Sequence, residues 1–325
     1  MRILVTGGAG FIGSVVAAEL TNAGHQVVVY DDLSHGFRTA VPKRTELVVG
    51  DVADCQNLVY AIKTRGIEAV MHFAALIEAG ESMRTPERYF RNNTVGTLTL
   101  LEAMLATKVT KLVFSSTAAV YGDPERVPIC EAGPLRPTNA YGESKLLAEH
   151  MLHWFHRVHG LHYASLRYFN VAGAAGEQGE AHQPESHLIP LVLQAALGKH
   201  AAISIYGTDY ETPDGTCVRD YIHVSDVARA HMLALDALNT RPYLMYNLGN
   251  GQGFSVRQVL EATCRVTGRA IRIIEARRRP GDPAVLVASS EKIQKELGWT
   301  PNYTDLESII ATAWEWQQKH PEGYK

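Results

Sequence analysis

The sequence predicts an α/β protein: a Rossmann-type, doubly wound parallel sheet with a smaller C-terminal α/β lobe. Two features of the chain lead to this prediction. In the first half, short β-branched runs alternate with helical stretches, which is the rhythm of successive strand–helix–strand units. These runs are continuously apolar rather than alternating, as expected for parallel strands that are covered on both faces.

The predicted elements follow one another in a regular order. Strands are expected at 2–7, 26–32, 46–51, 69–75, 111–116 and 162–170, and helices at 12–24, 55–65, 86–107 and 139–159. The second half opens with a loop-like stretch, 171–187, that is rich in Gly, Glu and Gln. Shorter elements follow: helices near 187–198, 225–239 and 255–267, strands near 202–206, 243–248 and 270–275, and a helical tail from 305. The predicted domains are 1–169 and 170–325, and their boundary need not be clean because the chain can cross back.

Composition indicates a soluble globular protein without a nucleic-acid or membrane partner. Of the 325 residues, 46% are hydrophobic and 20% charged, and the net charge of −3 provides no basic field. No apolar run approaches ~18 residues, and no signal peptide precedes the first predicted strand. The four cysteines lie far apart, which argues against a zinc site or a disulfide framework and favours a reducing cytoplasm. No metal is expected.

A glycine-rich loop, Gly7-x-x-Gly10-x-x-Gly13, connects the first predicted strand to the first predicted helix. Glycine lets the backbone approach a pyrophosphate closely, and a helix N-terminus supplies N–H groups and a positive dipole. The alternative is a glycine-rich turn without a ligand. The strand–loop–helix context favours dinucleotide binding over that alternative.

Two aspartates end the second and third predicted strands. Asp31 follows Gly13 by 18 residues, where a carboxylate accepts the hydroxyls of the adenosine ribose and repels a 2′-phosphate. Positions 30–35 contain no Lys or Arg, so NAD is favoured over NADP. Asp51 is placed to reach the adenine, or else it simply caps the end of its strand.

Tyr141 and Lys145 stand four residues apart in the predicted helix 139–159 and therefore share one helix face. A tyrosine can remove a hydroxyl proton as a phenolate general base. A free phenol has a pKa near ~10, and the positive charges of Lys145 and NAD⁺ would favour its phenolate. The spacing alone also fits two ordinary helix residues.

Five motifs together resemble the extended short-chain dehydrogenase/reductase superfamily: TGGAGFIG, HFAA, FSSTAAVYG, YGESK and LRYFN. In the second half the resemblance narrows to the UDP-glucose 4-epimerase family. It is carried there by HLIP (187–190), IYGTDYETPDGTCVRDYIHVSDVA (205–228), NLGNG (247–251) and RRPGDP (278–283). The resemblance extends essentially from end to end of the chain. It implies NAD as cofactor and a UDP-sugar as substrate.

The resemblance also implies which residues contact NAD. They are Gly7, Gly10, Phe11, Ile12, Gly13, Asp31, Asp32, Leu33, Ser34, His35, Gly36, Asp51, Val52, Phe73, Ala74, Ala75, Leu76, Ile77, Asn93, Thr117, Tyr141, Lys145 and Phe169. Thr117, Tyr141 and Lys145 form the implied catalytic set, in which Thr117 hydrogen-bonds the sugar oxygen and helps to relay the proton. Two positions depart from the family pattern. Ile77 stands where its best-known form has a cofactor-contacting lysine, and Thr117 stands where many members have serine.

A second set of residues is implied to contact the UDP-sugar. It comprises Thr117, Tyr141, Asn170, His187, Leu188, Ser204, Ile205, Tyr206, Arg219, Arg279, Asp282 and Leu286. Arg219 and Arg279 suit a diphosphate because guanidinium forks match phosphate oxygens, although surface arginines are common. By the resemblance, Leu286 lies near the C2 substituent of the sugar, where members that exclude N-acetyl sugars have a bulky tyrosine. UDP-GlcNAc and UDP-GalNAc are therefore candidate substrates, unless Leu286 is simply a core residue.

The implied reaction oxidises C4 of a UDP-hexose to a ketone, turns the sugar over and returns the hydride to the other face. Net redox is zero, so the cofactor can stay bound. Related 4,6-dehydratases carry acidic residues directly after the Ser or Thr. Here these positions are Ala118 and Ala119, which cannot move a proton, so the sequence excludes the elimination.

Three alternatives remain open from sequence. The nearest are a UDP-pentose and a UDP-uronate 4-epimerase. The third, a non-catalytic dinucleotide-binding regulator on the same fold, predicts loss of the Tyr, the Lys or the hydroxyl, and all three are present. The resemblance further implies a homodimer, in which the helices at 86–107 and 139–159 pair as a four-helix bundle. Their apolar positions can equally face the protein's own sheet.

Overall fold

The computed structural model describes residues 1–279 and 282–324. Its strands are β1 (Arg2–Thr6), β2 (Gln26–Asp31), β3 (Glu46–Val49), β4 (Ala69–His72), β5 (Lys111–Thr117), β6 (His162–Tyr168), β7 (Asn170–Ala172), β8 (Ile203–Tyr206), β9 (Val218–His223), β10 (Tyr243–Leu248), β11 (Gly253–Ser255), β12 (Ile273–Ala276) and β13 (Val285–Leu286). Its helices are α1 (Phe11–Asn22), α2 (Cys55–Arg65), α3 (Ala79–Ser82), α4 (Pro86–Tyr89), α5 (Gly96–Thr107), α6 (Ala140–His159), α7 (Leu188–Ala196), α8 (Val224–Ala237), α9 (Val256–Thr267), α10 (Glu291–Leu297) and α11 (Leu306–Lys319). None of these helices is both long and apolar enough to cross a membrane.

The chain forms two compact units. The first comprises Met1–Gly122, Pro134–Arg167 and Ala228–Tyr246, and the second comprises Asp123–Gly133, Tyr168–Val227 and Asn247–Lys325. The chain thus passes from one unit to the other several times. The single domain boundary at 169/170 stays a prediction.

A seven-stranded sheet in the order β10-β6-β5-β4-β1-β2-β3 forms the centre of the first unit. The pairs β1–β2, β1–β4, β2–β3 and β4–β5 are all parallel. The order runs outwards in both directions from β1, which is the doubly wound arrangement, so the predicted fold class is confirmed. Ile3, Leu4 and Val5 are completely buried, as the continuous apolar runs require.

The second unit contains two smaller sheets. In one, β9 pairs antiparallel with β11 and parallel with β13 and β7, and in the other β8 pairs parallel with β12. Its core forms where α7, α9 and α11 pack together through Ile189, Leu193, Val259, Ile309 and Ile310. Side chains from three helices thus form this core.

Two predicted elements are interrupted in the structure. The helix expected at 86–107 consists of α4, a π-helical segment at Phe90–Val95 and α5. The strand expected at 162–170 ends at Tyr168, and a separate strand, β7, begins at Asn170 and pairs with β9 in the second unit. Strands β9, β11 and β13 and helix α10 were not among the predicted elements.

Candidate active site

The glycine-rich motif between β1 and α1 leaves no room for a side chain at Gly7 or Gly13. Gly7 has φ of +70°, and a Cβ atom there would lie 2.4 Å from the main-chain N of Ala74. A Cβ on Gly13 would lie 2.2 Å from the carbonyl O of Gly7. Gly10 precedes α1, and no side chain caps this helix. No side chain therefore caps the N–H groups at the start of α1, which fits the pyrophosphate of a dinucleotide.

Asp31 is a buried carboxylate at the end of β2, beside this loop. Its Oδ2 accepts a 2.9 Å hydrogen bond from the main-chain N of Ala9, and its Oδ1 accepts one of 2.9 Å from Leu33 N. Burial is the larger influence and raises the pKa of Asp31 above its ordinary value, against these two bonds. A carboxylate has about four lone-pair sites, so two further acceptor sites suit ribose hydroxyls. The neighbouring Asp32 accepts from the N–H and hydroxyl of Ser34.

The segment after β4, residues 73–77, is held by the buried side chain of Asn93. Asn93 Oδ1 accepts from Leu76 N at 2.9 Å, and its Nδ2 donates to Leu76 O at 2.9 Å. The same Nδ2 donates to Ser144 Oγ on α6 at 3.0 Å. Asn93 thus joins the segment that is predicted to run beside the cofactor to the helix that carries Tyr141 and Lys145.

The predicted catalytic residues Thr117, Tyr141 and Lys145 come together at the end of β5 and the start of α6. Asn139 caps α6, and its Oδ1 accepts from Gly142 N at 2.8 Å. The hydroxyl of Tyr141 is hydrogen-bonded to Thr117. Lys145 is only 2% exposed, and its Nζ donates to the carbonyl O of Ser115 at 2.8 Å. The structure therefore gathers the set that the resemblance implied.

Burial is the largest influence on the pKa of both Tyr141 and Lys145. Desolvation raises the pKa of Tyr141 to about 12, and the hydrogen bond from Thr117 offsets only part of this. Desolvation also lowers the pKa of Lys145 to about 7, against the charge of Glu149. Burial thus penalises the charged forms of both side chains in the protein alone, and the expectation that the charges of Lys145 and NAD⁺ together favour the phenolate stays a prediction.

A buried ion pair, between Glu149 and Arg167, lies next to Lys145 and was not among the predicted features. Glu149, one turn beyond Lys145 on α6, accepts from Arg167 Nε at 2.9 Å and from Arg167 Nη2 at 2.5 Å. It also accepts from Ser116 Oγ at 2.6 Å and from Ser165 Oγ at 2.8 Å. The sequence signal for Glu149 was its spacing, because Tyr141, Lys145 and Glu149 follow one another at intervals of four residues on one helix. This network fixes α6 against β5 and β6.

In the second unit, the residues predicted to bind UDP form two local groups. Arg219 on β9 donates a hydrogen bond from Nη2 to the carboxylate of Asp282. In the pairing of β9 with β13, Leu286 is the residue opposite Arg219. The guanidinium of Arg279 lies 4.0 Å from the ring centroid of Tyr206, at the end of β8. Ser204 and Ile205 precede Tyr206 on β8.

The remaining predicted substrate residues flank the loop that follows β7. Asn170 begins β7 and pairs in register with Tyr221 on β9. Leu188 begins α7. The Nδ1 of His187 lies 2.9 Å from carboxylate oxygens of both Glu180 and Glu185, so these two carboxylates are its partners in the structure.

Comparisons with known proteins agree with this geometry. Residues 3–249 match the model of the NAD dependent epimerase/dehydratase family. A UDP-glucose 4-epimerase from Streptomyces lividans is 53% identical over 324 residues, covering 99% of this chain and 98% of that protein.

Two solved structures are similar over essentially their whole length. The UDP-glucose 4-epimerase from Brucella ovis in complex with NAD is 45% identical, with a TM-score of 0.94 and coverage of 100% of this chain and 99% of that one. The UDP-glucose 4-epimerase from Bifidobacterium longum in complex with NAD⁺ and UDP is 38% identical, with a TM-score of 0.95 and full coverage of both chains. This chain therefore belongs to the NAD dependent epimerase/dehydratase family, and within it to the UDP-glucose 4-epimerases.

Proposed function

We propose that this protein is an NAD-dependent UDP-hexose 4-epimerase that interconverts UDP-glucose and UDP-galactose through a 4-keto sugar. The observation that carries the proposal is the hydrogen bond between Tyr141 and Thr117, directly before two residues that cannot move a proton, Ala118 and Ala119. Such a site can remove and return a hydroxyl proton but cannot eliminate water. The UDP-glucose 4-epimerases that this chain resembles support the same reaction.

In this proposal the residues of the first unit handle the proton and the cofactor. Bound NAD supplies the hydride acceptor and donor, together with a positive charge that favours the phenolate of Tyr141. Tyr141 takes the proton from the C4 hydroxyl and later returns it. Thr117 hydrogen-bonds the same sugar oxygen. Lys145, whose pKa is about 7, carries a positive charge on part of the molecules at neutral pH and adds to this stabilisation.

The residues of the second unit hold the nucleotide in this proposal. Arg219 and Arg279 provide guanidinium groups for the diphosphate, and Asp282 orients Arg219 through their ion pair. Epimerisation requires that the sugar can turn over while its anchor stays bound. Cationic contacts limited to the diphosphate meet this requirement, because they leave the ring free to rotate.

A panel of substrates tests the proposed function. Purified protein is incubated, without added NAD, with UDP-glucose, UDP-GlcNAc, UDP-xylose and UDP-glucuronate, and the products are separated by chromatography. We expect UDP-galactose from UDP-glucose, because zero net redox makes external cofactor unnecessary. Turnover of only the xylose or the glucuronate compound would instead identify a pentose or uronate epimerase. No turnover of any of them, with NAD bound, would identify a regulator.

We also propose a cytoplasmic homodimer that pairs α5 and α6 with their copies. These helices and the π-helical segment before α5 carry exposed large apolar side chains: Val95, Leu105, Trp154 and Val158, each at least 47% exposed. Large apolar side chains exposed on two helices favour an interface between proteins when they lie together. All four cysteines are free, which suits a reducing compartment. The molar mass in solution, measured by light scattering, should correspond to two chains, and Trp154→Glu should reduce it to one.

A further inference from the structure

Four side chains in the loop between β7 and α7 gather into one compact group, the Glu/His cluster: Glu180, His182, Glu185 and His187. They lie within eight residues, 180–187, in the pattern Glu-x-His-x-x-Glu-x-His. One ligand atom from each lies within 4.8 Å of every other. The whole cluster belongs to the second unit. Of its four members, only His187 is among the residues implied to contact the UDP-sugar.

The donor atoms are already close to the spacing that a tetrahedral cation requires. Glu180 Oε1 lies 3.1 Å from His182 Nδ1 and 2.9 Å from His187 Nδ1, and Glu185 Oε1 lies 2.9 Å from His187 Nδ1. Ligands of a tetrahedral Zn²⁺ at about 2.0–2.2 Å lie roughly 3.3–3.6 Å apart. Changes in spacing of several tenths of an ångström, up to roughly 1.5 Å for the widest pair, would convert the present cluster into a coordination shell.

A second observation indicates that the cluster has an unused ligand. The side chain of Glu185 is only 5% exposed, yet its Oε2 is buried and has no hydrogen-bond partner. A buried carboxylate oxygen without a partner costs free energy unless something positive is bound to it. Glu180 also lines a small cavity, of about 10 Å³, together with Gln317, whose Oε1 is buried and unpartnered as well. Room for about one water molecule therefore adjoins the cluster.

We propose that the Glu/His cluster binds one Zn²⁺ ion per chain. Two imidazole nitrogens and two carboxylate oxygens are ligands that Zn²⁺ favours, whereas Ca²⁺ and Mg²⁺ prefer shells made of oxygen alone. The two carboxylates neutralise the charge of the ion. The four ligands fill a tetrahedral shell, so the site is structural rather than catalytic.

The ion would fix the loop between β7 and α7, whose flanking residues Asn170 and Leu188 are implied to contact the UDP-sugar. Removing it should therefore raise KM for the UDP-sugar more than it changes kcat. This kinetic consequence rests on the proposed function, whereas the stoichiometry of the metal does not. The experiment can therefore refute the zinc site and the proposed function independently of each other.

The test begins with chelator-dialysed full-length protein, to which Zn²⁺ is added in competition with a chromophoric chelator. Metal content after gel filtration is measured by mass spectrometry, and Co²⁺ is added in parallel to read the geometry from its visible absorption. We expect one ion per chain and the intense bands of tetrahedral Co²⁺. His182→Gln and Glu185→Gln should each weaken Zn²⁺ binding at least about tenfold. His200→Gln, an exposed histidine bonded to Gln194, is the control and should bind as tightly as wild type.

Wild-type protein without stoichiometric Zn²⁺, or with the weak spectrum of six-coordinate Co²⁺, would overturn the proposal and leave a hydrogen-bonded cluster. Equal affinity in wild type, His182→Gln and Glu185→Gln would overturn it too, since binding would then occur elsewhere. Circular dichroism checks the fold of each variant. Should one variant not fold, the Co²⁺ spectrum of the wild type still decides the question.

Discussion

Lys145 donates its Nζ hydrogen bond to the carbonyl O of Ser115, whereas Tyr141, on the same face of α6, bonds to Thr117. The two side chains therefore hold different partners at the end of one strand, β5. The position of the proposed base, Tyr141, thus depends on the Thr117 hydroxyl, whereas the position of the Lys145 ammonium depends on a main-chain carbonyl. Removing either side chain should consequently have a distinct effect.

Replacing Tyr141 with phenylalanine should lower turnover by roughly 10²–10⁴-fold, because the general base is lost while the ring and its packing remain. Bound NAD should be retained, which is measured by the absorbance of nucleotide released on denaturation. Tyr60→Phe, at a tyrosine 65% exposed on α2, is the matched control and should keep full activity. A Tyr141→Phe enzyme as active as wild type would refute the proposed chemistry.

Replacing Glu149 with glutamine should lower the free energy of unfolding by about 3–5 kcal/mol. The reason is that Arg167, only 1% exposed, would keep its charge without a buried counter-ion. Chemical denaturation of the variant and wild type measures the difference. Glu46→Gln breaks an exposed pair with Arg65 and should cost no more than about 1 kcal/mol. Equal losses of unfolding free energy in Glu149→Gln and Glu46→Gln would show that the buried pair contributes no more to stability than the exposed one.

His72 should make the protein sensitive to acid. Burial lowers its pKa to about 3, and its ring nitrogens contact the hydroxyls of Thr6 and Thr97. Between pH 6.5 and 3 the unfolded chain binds a proton that the folded chain does not, so stability falls as pH falls through this range. At pH 5 the loss from this residue should be about 2 kcal/mol.

The measurement is the free energy of unfolding between pH 5 and pH 7.5. His72→Gln should lose less stability across this range than wild type, whatever its absolute stability. His153→Gln, at an exposed position of α6, should follow the wild-type curve. Parallel curves for wild type and His72→Gln would contradict the assignment.

Replacing Gly13 with alanine should abolish NAD binding, because the new Cβ would lie 2.2 Å from Gly7 O and backbone cannot yield as a side chain does. Nucleotide content and circular dichroism are measured on the purified variant. Gly80→Ala is the matched control, since a Cβ at Gly80 meets no heavy atom within 4 Å. Wild-type NAD content in Gly13→Ala would show that the loop is not the cofactor site.

Replacing Leu286 with tyrosine should narrow the substrate range. If Leu286 faces the C2 substituent, wild type turns over UDP-GalNAc, and the variant should lose at least about tenfold in kcat/KM for that substrate. UDP-galactose, assayed on the same variant, is the internal control and should be affected much less. Absence of UDP-GalNAc turnover by wild type at millimolar concentration would end this hypothesis.

The parallel sheet and the dinucleotide loop were predictable because their signals are local. Buried parallel strands appear as continuous apolar runs, and Gly7, Gly10 and Gly13 mark a backbone that must approach closely. Strand β9 was missed for the opposite reason. It buries Arg219, Asp220 and His223, so no apolar run marks it. Asp220 is held there by main-chain N–H groups of Asn250, Gly251 and Ala288.

Sequence patterns also could not predict which residues pair with buried charged side chains. Glu149 was visible at helical spacing from Lys145, but its counter-ion, Arg167, comes from a different element. Likewise Glu185 and His187 looked like part of a polar loop. Only the fold shows which polar residues are enclosed together, because burial depends on the packing of distant segments.

The π-helical segment Phe90–Val95 has a consequence for the length of this part of the chain. A π-helical turn is equivalent to an α-helix with one residue inserted, and each α-helical residue turns the helix by ~100°. Deleting one residue here would restore a regular helix but rotate Asn93 away from Leu76 and Ser144, to which it is bonded. The site thus depends on the number of residues in this helix as well as on their identity. Deleting one codon in this segment would disturb the site even if every residue assigned to the site were kept.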